Sequence, residues 1–182
     1  MTTATSTKIT YDDLLKMPED NRLREIIDGE LIVSPSPSFH HQDIIGAFYR
    51  VISDYLDEHP VGRVGFAPLD TVLAADQVPQ PDLVYIGKQG GSVIERVVKG
   101  APDLAVEVIS ETSRRRDEVR KREIYEQFGV TEYWLVDPEA DKVTVYRLSD
   151  GRYDAGTIVR TLLTTPLLPG LEIDLARVFV QR

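Results

Sequence analysis

The amino-acid sequence predicts one domain of the α/β or mixed α+β class, in which helices flank a central mixed β-sheet and a β-hairpin lies near the N-terminus. The 182 residues are enough for a single domain with a sizeable core. Two segments, DLVYI at 82–86 and LAVEVI at 104–109, are apolar at successive positions, which is typical of central strands covered on both faces. A third segment, at 39–58, repeats its apolar residues with a helical period, so helices also contribute to the core.

The N-terminal region is expected to begin with a mobile tail at 1–9, which is followed by the domain at 10–182. Thr10 and Asp13 have the spacing of a capping box and predict a short helix that ends at Pro18. The chain contains no internal repeat and no linker rich in Gly, Ser or Pro, so we expect no second domain.

A hairpin and a long helix are predicted next. In REIIDGELIV, Asp28-Gly29 separates two apolar runs, which is a strong hairpin signal. After the breakers SPSPS, Ser38 can cap a helix from Phe39 to Glu58. His41 lies on the apolar face of this helix, so its side chain is expected to point towards the core.

The rest of the chain combines short strands with one further helix. Strands are predicted at 63–66, 71–73, 82–86, 93–98 and 104–109, and later in TEYWLVDP, VTVYRL and LPGLEIDL. The helix is predicted over 114–128, and it ends at Gly129, a residue that suits a helix C-terminus.

Composition and charge exclude several classes of protein. The chain has no cysteine, which excludes disulfides, thiolate zinc sites and cysteine nucleophiles. It has no apolar run long enough to span a bilayer, and MTTATSTKIT lacks the regions of a signal peptide, so a cytoplasmic location is expected. The formal charge of -9 argues against nucleic-acid binding over the whole surface. However, RRRDEVRKR at 114–122 holds six basic and two acidic residues, a local net charge of +4.

Two carboxylates stand out against the apolar strands. Glu107 lies in the middle of LAVEVI, and Asp82 begins DLVYI. An unpaired carboxylate removed from water costs several kcal/mol, so Glu107 must be protonated, paired with a buried Lys or Arg, or bound to a cation. If the two strands are neighbours, Asp82 and Glu107 converge and could hold a divalent cation such as Mg²⁺, with Mn²⁺ as a substitute. A structural ion pair is the alternative.

The helix that follows Glu107 supplies positive charge. At about 100° per residue, Lys121 faces inward with the apolar residues, whereas most of its basic neighbours face outward. Lys121 is therefore a candidate catalytic cation, or else a structural partner of Glu107 or Asp117. The candidates for contacts to nucleic-acid phosphates are Arg114, Arg115 and Arg116.

Long segments of the chain resemble the Uma-type family of restriction endonucleases, within the PD-(D/E)XK nuclease superfamily. They are PQPDLVYI, GAPDLAVEVIS and RRRDEVRKREIYEQFGVTEYWLVDP, and the resemblance extends to IIDGELIVSPSP, HHQDI and LLPGLEIDL. The resemblance implies a restriction-endonuclease-like core and a metal-dependent nuclease.

The same resemblance implies site residues. Pro81-Asp82 matches the family's Pro-Asp pair and Glu107 matches its strand acid. The superfamily pattern has a lysine two residues after that acid, where this chain has Ile109, and Lys121 matches a lysine that has moved to the following helix. Two further residues match family positions and could complete the site: Glu30 and His41.

The leading hypothesis is a Mg²⁺-dependent DNA endonuclease. Asp82 and Glu107 would hold the ion, Lys121 would orient water or stabilise the transition state, and the arginines at 114–116 would position the DNA backbone. A homodimer is expected, because cutting both strands of a duplex needs two sites.

One alternative is an inactive nuclease-derived module that binds nucleic acid or assists assembly. Another is a carboxylate-pair hydrolase such as a glycosidase, which leaves Lys121 unexplained.

Overall fold

The structure is a computed structural model that describes residues 8–18, 22–111 and 113–180. Most of the predicted tail at 1–9 lies outside these residues. Lys8 and Ile9 are described, and both contact the rest of the chain: Ile9 N donates to Gly29 O at 2.9 Å, and Lys8 Nζ lies 2.6 Å from Asp76 Oδ2. Among the described helices, none has the length and apolar character needed to cross a membrane.

The regular elements are numbered in chain order. The strands are β1 Leu23–Ile27, β2 Glu30–Ser34, β3 Gly62–Phe66, β4 Thr71–Val72, β5 Leu83–Gly87, β6 Val93–Ile94, β7 Val98–Lys99, β8 Leu104–Val108, β9 Glu132–Asp137, β10 Lys142–Ser149, β11 Arg152–Tyr153, β12 Thr157–Val159, β13 Leu162–Thr164 and β14 Glu172–Asp174. The helices are α1 Tyr11–Leu14, α2 Phe39–Glu58, a π-helix Arg116–Lys121, α3 Arg122–Phe128 and α4 Leu175–Val178.

A seven-stranded mixed sheet forms the centre of the fold. Its strand order is β11-β10-β9-β8-β5-β3, and β12 pairs with β10. Strands β8 and β9 run parallel, whereas β5 runs antiparallel to both of its neighbours, β3 and β8. Helices α2 and α4 cover one face of the sheet, and α3 covers part of the other. The predicted α/β class, mixed sheet and N-terminal hairpin are confirmed.

The hairpin and long helix form where local residues favour them. Asp28 and Gly29 have φ values of 55° and 80°, which a two-residue hairpin turn requires and which glycine adopts without strain. Ser38 Oγ accepts a hydrogen bond from His41 N at 3.2 Å, which satisfies one of the free amides at the start of α2. The buried face of α2 then packs on the apolar side chains of β5, β8 and β9.

Two predicted elements differ from those observed. The strand predicted over 93–98 is two short strands, β6 and β7, which pair antiparallel with each other. The helix predicted over 114–128 contains the π-helix at Arg116–Lys121 before it continues as α3 to Phe128. A π-helix bonds residue i to i+5, so side chains before and after it face different directions from those of a continuous α-helix.

Removal of the Ser38 cap should weaken the helix that carries His41. We expect Ser38→Ala to lower the free energy of unfolding by about 1 kcal/mol, because one amide of the first helical turn loses its acceptor. Chemical denaturation followed by circular dichroism measures this loss. Ser36→Ala, an exposed serine in the same loop, is the matched control and should change nothing. Equal stability of the two variants would contradict the assigned cap.

Candidate active site

A cleft of about 1000 Å³ lies where the hairpin, the start of α2, the end of β8 and the π-helix meet. Its walls carry most of the buried charge of the described chain. The charged and titratable side chains that line it are Arg22, Glu25, His40, His41, Asp82, Glu107, Glu111, Arg116, Asp117 and Lys121. The cleft is therefore a site where burial and charge occur together, as in active sites.

Lys121 is the central cation of the cleft. Its Nζ lies 2.8 Å from Glu107 Oε1 and 2.8 Å from Glu25 Oε1, and 3.8 Å from Asp117 Oδ1. All four residues are at most 4% exposed, so solvent screens these charges weakly. Lys121 thus joins the hairpin, the central strand and the π-helix.

Asp82 and Glu107 are neighbours across two paired strands. Leu83 pairs with Val106, so the same antiparallel register brings Asp82 opposite Glu107. Asp82 Oδ2 accepts the amide of Val108 at 2.7 Å, and Glu107 Oε1 accepts from Lys121 and from Tyr125 Oη at 2.7 Å. The second oxygen of each carboxylate accepts no hydrogen bond from the described residues.

His41, on helix α2, reaches the carboxylate of Asp82 from the other face of the sheet. Its Nε2 lies 3.1 Å from Val108 O and 3.3 Å from Asp82 Oδ2. Because both atoms are acceptors, Nε2 carries a proton and donates it to them. His41 Nδ1 is buried and has no partner among the described residues. His41 is therefore in a position to orient Asp82.

Burial and the excess of carboxylates both shift the pKa values in the cleft. Burial raises the pKa of Glu107 well above its usual value, and the nearby Asp117, Asp82 and Glu25 add to this rise while Lys121 opposes it. Burial lowers the pKa of Lys121, but Glu107, Glu25 and Asp117 outweigh burial and raise it overall. Burial also raises the pKa of Asp117. The cleft therefore favours a further positive charge.

The pKa of His41 is also shifted. Burial lowers it, but the hydrogen bond and charge of Asp82 outweigh burial, and the net shift is upward. The imidazolium form is thereby favoured next to Asp82.

The donor set fits a hard divalent cation. Magnesium is commonly held by one or two protein carboxylates, with water and substrate oxygens as the remaining ligands. Asp82 and Glu107 supply two such carboxylates, each with an oxygen that accepts no hydrogen bond within the described chain. Within the same residues, no group of three or more His, Asp or Glu side chains is arranged around a metal position. Water and substrate would therefore complete the coordination.

The structure brings some of the predicted site residues together and keeps others apart. Asp82, Glu107, Lys121 and His41 all line the cleft. Glu30 does not: it is exposed on β2, and its Oε2 lies 3.3 Å from the guanidinium of Arg120. That ion pair links the hairpin to the π-helix.

The three arginines at 114–116 lie in different surroundings, and only Arg116 lines the cleft. Arg114 is held by Asp137 at 3.0 Å, by Glu139 at 3.0 Å and by Glu118 at 3.2 Å, and Arg115 is exposed. The helical wheel predicts that Arg116 faces away from Lys121, but Arg116 lines the cleft, because the π-helix begins at this residue.

Arg116 is loosely held in the cleft. Its Nε lies 3.9 Å from Glu25 Oε2 and 3.8 Å from Asp117 Oδ1, which are ion-pair rather than hydrogen-bond distances. The Nε has no hydrogen-bond partner among the described residues, and a terminal nitrogen reaches Ser34 Oγ only at 3.5 Å. The guanidinium therefore keeps donors for a ligand.

Two residues of the cleft network are absent from the sequence prediction. Glu25 is 4% exposed and accepts the amide of Gln80 at 2.8 Å in addition to Lys121. Tyr125, which the sequence places with the apolar residues, bonds Glu107 through its hydroxyl. The sequence does contain a signal that could have identified Glu25. It stands directly before the apolar pair Ile26-Ile27, and a charge there is unexpected, as the charge of Glu107 is within its own strand.

Comparisons with known proteins identify the family of the chain and a similar fold. The family model Uma2, described as "Putative restriction endonuclease", matches residues 11–176. Among solved structures, the chain is similar to the crystal structure of "a putative nuclease belonging to DUF820" from Anabaena variabilis ATCC 29413, with 23% sequence identity and a TM-score of 0.79. That likeness covers 94% of this chain and 97% of the other, and it confirms the nuclease-like fold. No match is found among curated proteins.

Glu107→Gln should stabilise the protein in a pH-dependent way. The folded pKa of Glu107 lies above 4.5, so its contribution to stability is present below pH 4.5 and is lost as the pH rises through the folded pKa. The substituted amide would not ionise, and Lys121 would keep Glu25 as a partner. We therefore expect wild type and variant to have equal unfolding free energies below pH 4.5, and the variant to become the more stable one as the pH rises.

Urea denaturation at a series of pH values measures this difference. Glu123→Gln, which removes an exposed carboxylate from α3, is the matched control and should follow wild type at every pH. A Glu107→Gln protein that is less stable than wild type at neutral pH would show that the ion pair with Lys121 outweighs the burial of Glu107.

Proposed function

Because the chain belongs to the Uma2 family, described as "Putative restriction endonuclease", we propose that it is a metal-dependent endonuclease that hydrolyses phosphodiester bonds in DNA. One observation carries this proposal: Asp82 and Glu107 oppose each other on neighbouring strands, beside the buried Lys121, in one cleft. Family membership supports nuclease function, and the cleft supplies the acids and the cation that phosphodiester hydrolysis requires.

Asp82 and Glu107 are the proposed ligands of Mg²⁺, with Mn²⁺ as a substitute. When bound, the ion supplies a water of lowered pKa and neutralises charge on the scissile phosphate. Lys121 and Tyr125 both donate to Glu107 Oε1, so the other oxygen of that carboxylate would be the one that binds the ion. His41 and the Val108 amide hold Asp82 Oδ2 in the same way.

Lys121 and Arg116 are the proposed contacts to the reacting phosphate. A lysine ammonium has three donors, and Glu25 and Glu107 engage two of them. The third remains for the attacking water or for a phosphate oxygen, whose charge increases in the transition state. Arg116 lines the cleft and has only long ion-pair contacts there, so its guanidinium would hold the neighbouring phosphate oxygens and position the DNA backbone.

A second candidate function is a nucleic-acid-binding or assembly module without nuclease activity. Two observations favour it: Lys121 already neutralises Glu25 and Glu107, and Ile109 stands where the superfamily pattern has its lysine. Calorimetric titration with Mn²⁺ separates the two functions. The nuclease should bind Mn²⁺, and Asp82→Ala should abolish that binding, whereas an inactive module requires no ion.

Asp82→Ala should abolish DNA cleavage. We expect the rate of plasmid cleavage in Mg²⁺ or Mn²⁺ to fall by more than about 100-fold, because loss of even an indirect metal partner costs 10–100-fold. Gel analysis of supercoiled, nicked and linear plasmid measures the rate. Asp57→Ala, at the exposed end of α2, is the matched control and should cleave like wild type. If wild type and Asp82→Ala are equally inert on a broad panel of DNA substrates, the nuclease proposal is wrong.

Arg116→Ala should weaken DNA binding uniformly across sequences. A lost phosphate contact reduces the slope of log affinity against log salt concentration by about one. Fluorescence anisotropy of labelled DNA at several salt concentrations measures the slope, and the Asp82→Ala background prevents cleavage during the measurement. Arg177→Ala on α4, with a side chain 88% exposed, is the control and should leave the slope unchanged. An unaltered slope for Arg116→Ala would exclude this arginine as a phosphate contact.

A further inference from the structure

Strand β3 forms one edge of the central sheet. Within the described chain it pairs on one side with β5, and no strand lies along its other side. Its sequence, GRVGF, carries a single charge, and the exposed Phe66 is 50% accessible to solvent. Natural proteins usually protect such an edge with charges, proline or a cover, because it can pair with another strand.

The backbone groups of alternate β3 residues point outward. Val61 O accepts from Lys88 N at 2.9 Å and Ala67 N donates to Asp82 O at 3.1 Å, so the odd-numbered residues bond β5. In an antiparallel ladder the residues between them face the other way. The N–H and C=O groups of Gly62, Val64 and Phe66 therefore face the open side, and none of them bonds a described residue.

We propose that β3 pairs antiparallel with β3 of a second copy of this chain, around a two-fold axis at Val64. This register places Val64 against Val64, Gly62 against Phe66 and Arg63 against Gly65. Each bulky residue beside the axis is thus opposite a glycine, which makes the strand complementary to itself as a two-fold interface requires. The outward groups of Gly62, Val64 and Phe66 would then form hydrogen-bonded pairs with their counterparts.

The neighbouring helix leaves room for this pairing. Tyr49 of α2 packs edge-on against Phe66, with ring centroids 4.8 Å apart, so this flank of α2 lies above the β3 edge. Residues three or four positions from Tyr49 share its flank, and two of them are small: Gly46 and Ser53. A side chain at Gly46 would meet no atom within 4 Å. Two copies of α2 could therefore approach each other closely across the axis.

The proposed dimer would place both clefts on the same face of one continuous sheet. Asp82 lies level with Ala67, three residues from the axis at Val64 and one strand inward. With about 3.4 Å per residue and about 4.8 Å between strands, the two Asp82 positions are about 25 Å apart. Arg63 pairs with Ile86, on the same face as Asp82, so the two copies of Arg63 would lie between the clefts.

This arrangement suits a duplex that lies across both clefts. Arg63 is exposed and has no ion-pair partner among the described residues. Two arginines close to the axis repel each other, and phosphates bound between them would remove that repulsion. The interface itself does not depend on the proposed function, but its consequence for cutting both strands does.

Analytical ultracentrifugation of the full chain tests the interface. We expect wild type to sediment at twice the mass of one chain, and Phe66→Asp to sediment as a monomer that keeps its circular dichroism spectrum. Leu162→Asp is the matched control, because Leu162 is 48% exposed on a different sheet, and it should remain a dimer. A monomeric wild type at its highest soluble concentration would overturn the proposal.

Cross-linking provides a second measurement that does not depend on how Phe66→Asp folds. The chain has no cysteine, so Arg63→Cys introduces a single thiol beside the axis. A short bis-maleimide should convert this variant to a covalent dimer, whereas Val119→Cys, exposed on the π-helix, should remain monomeric on a denaturing gel. Equal cross-linking of the two variants would overturn the proposal. Neither measurement uses cleavage, so an inactive dimer would argue against the nuclease function alone, and an active monomer against the interface alone.

Discussion

The ion pairs of Lys121 with Glu25 and Glu107 are the contacts on which the cleft depends. They join three segments that are distant in sequence: the N-terminal hairpin, the central strand β8 and the π-helix. Lys121 is buried, and a buried charge left without any partner costs about 3–5 kcal/mol, so the ammonium group holds the hairpin and the central strand close to the π-helix. The same contacts that hold the hairpin against the sheet therefore fix the orientation of Glu107. The contacts of Lys121 with Glu25 and Glu107 therefore determine both how this region folds and how the site is arranged.

The π-helix makes this arrangement possible. It starts at Arg116 and ends at Lys121, so the charged residues Arg116, Asp117 and Lys121 all line the cleft. π-Helical turns are rare and occur often at functional sites, because they give up regular packing to redirect side chains. Tyr133 supports the turn from the sheet, since its hydroxyl donates to Asp117 O at 3.0 Å. Arg120 supports it from the hairpin through Asp28 and Glu30.

The sequence is sufficient to predict the fold class, and it marks several of the residues that meet in the cleft. Apolar periodicity predicts the strands and α2, and a charge in an apolar strand marks Glu107. The inward face of the later helix marks Lys121. The prediction fails where tertiary contacts decide which side chains are buried. Glu25 and Glu30 lie on the same hairpin, and the docking of that hairpin buries Glu25 and leaves Glu30 exposed. The helical wheel places Arg116 on the outer face, whereas it lines the cleft, because no sequence period reveals a π-helix.

The charge of the cleft limits how a nuclease could work here. Four buried or partly buried carboxylates, Glu25, Asp82, Glu107 and Asp117, face Lys121 and Arg116, and a phosphodiester would bring a further negative charge. Like charges close together in a weakly screened site repel strongly. DNA would therefore bind productively only with a cation that neutralises Asp82 and Glu107, so ion and substrate should bind cooperatively. Burial is the main cause of the raised pKa of Glu107, and the repulsion from Asp117, Asp82 and Glu25 adds to it, since a proton relieves that repulsion when no other cation does.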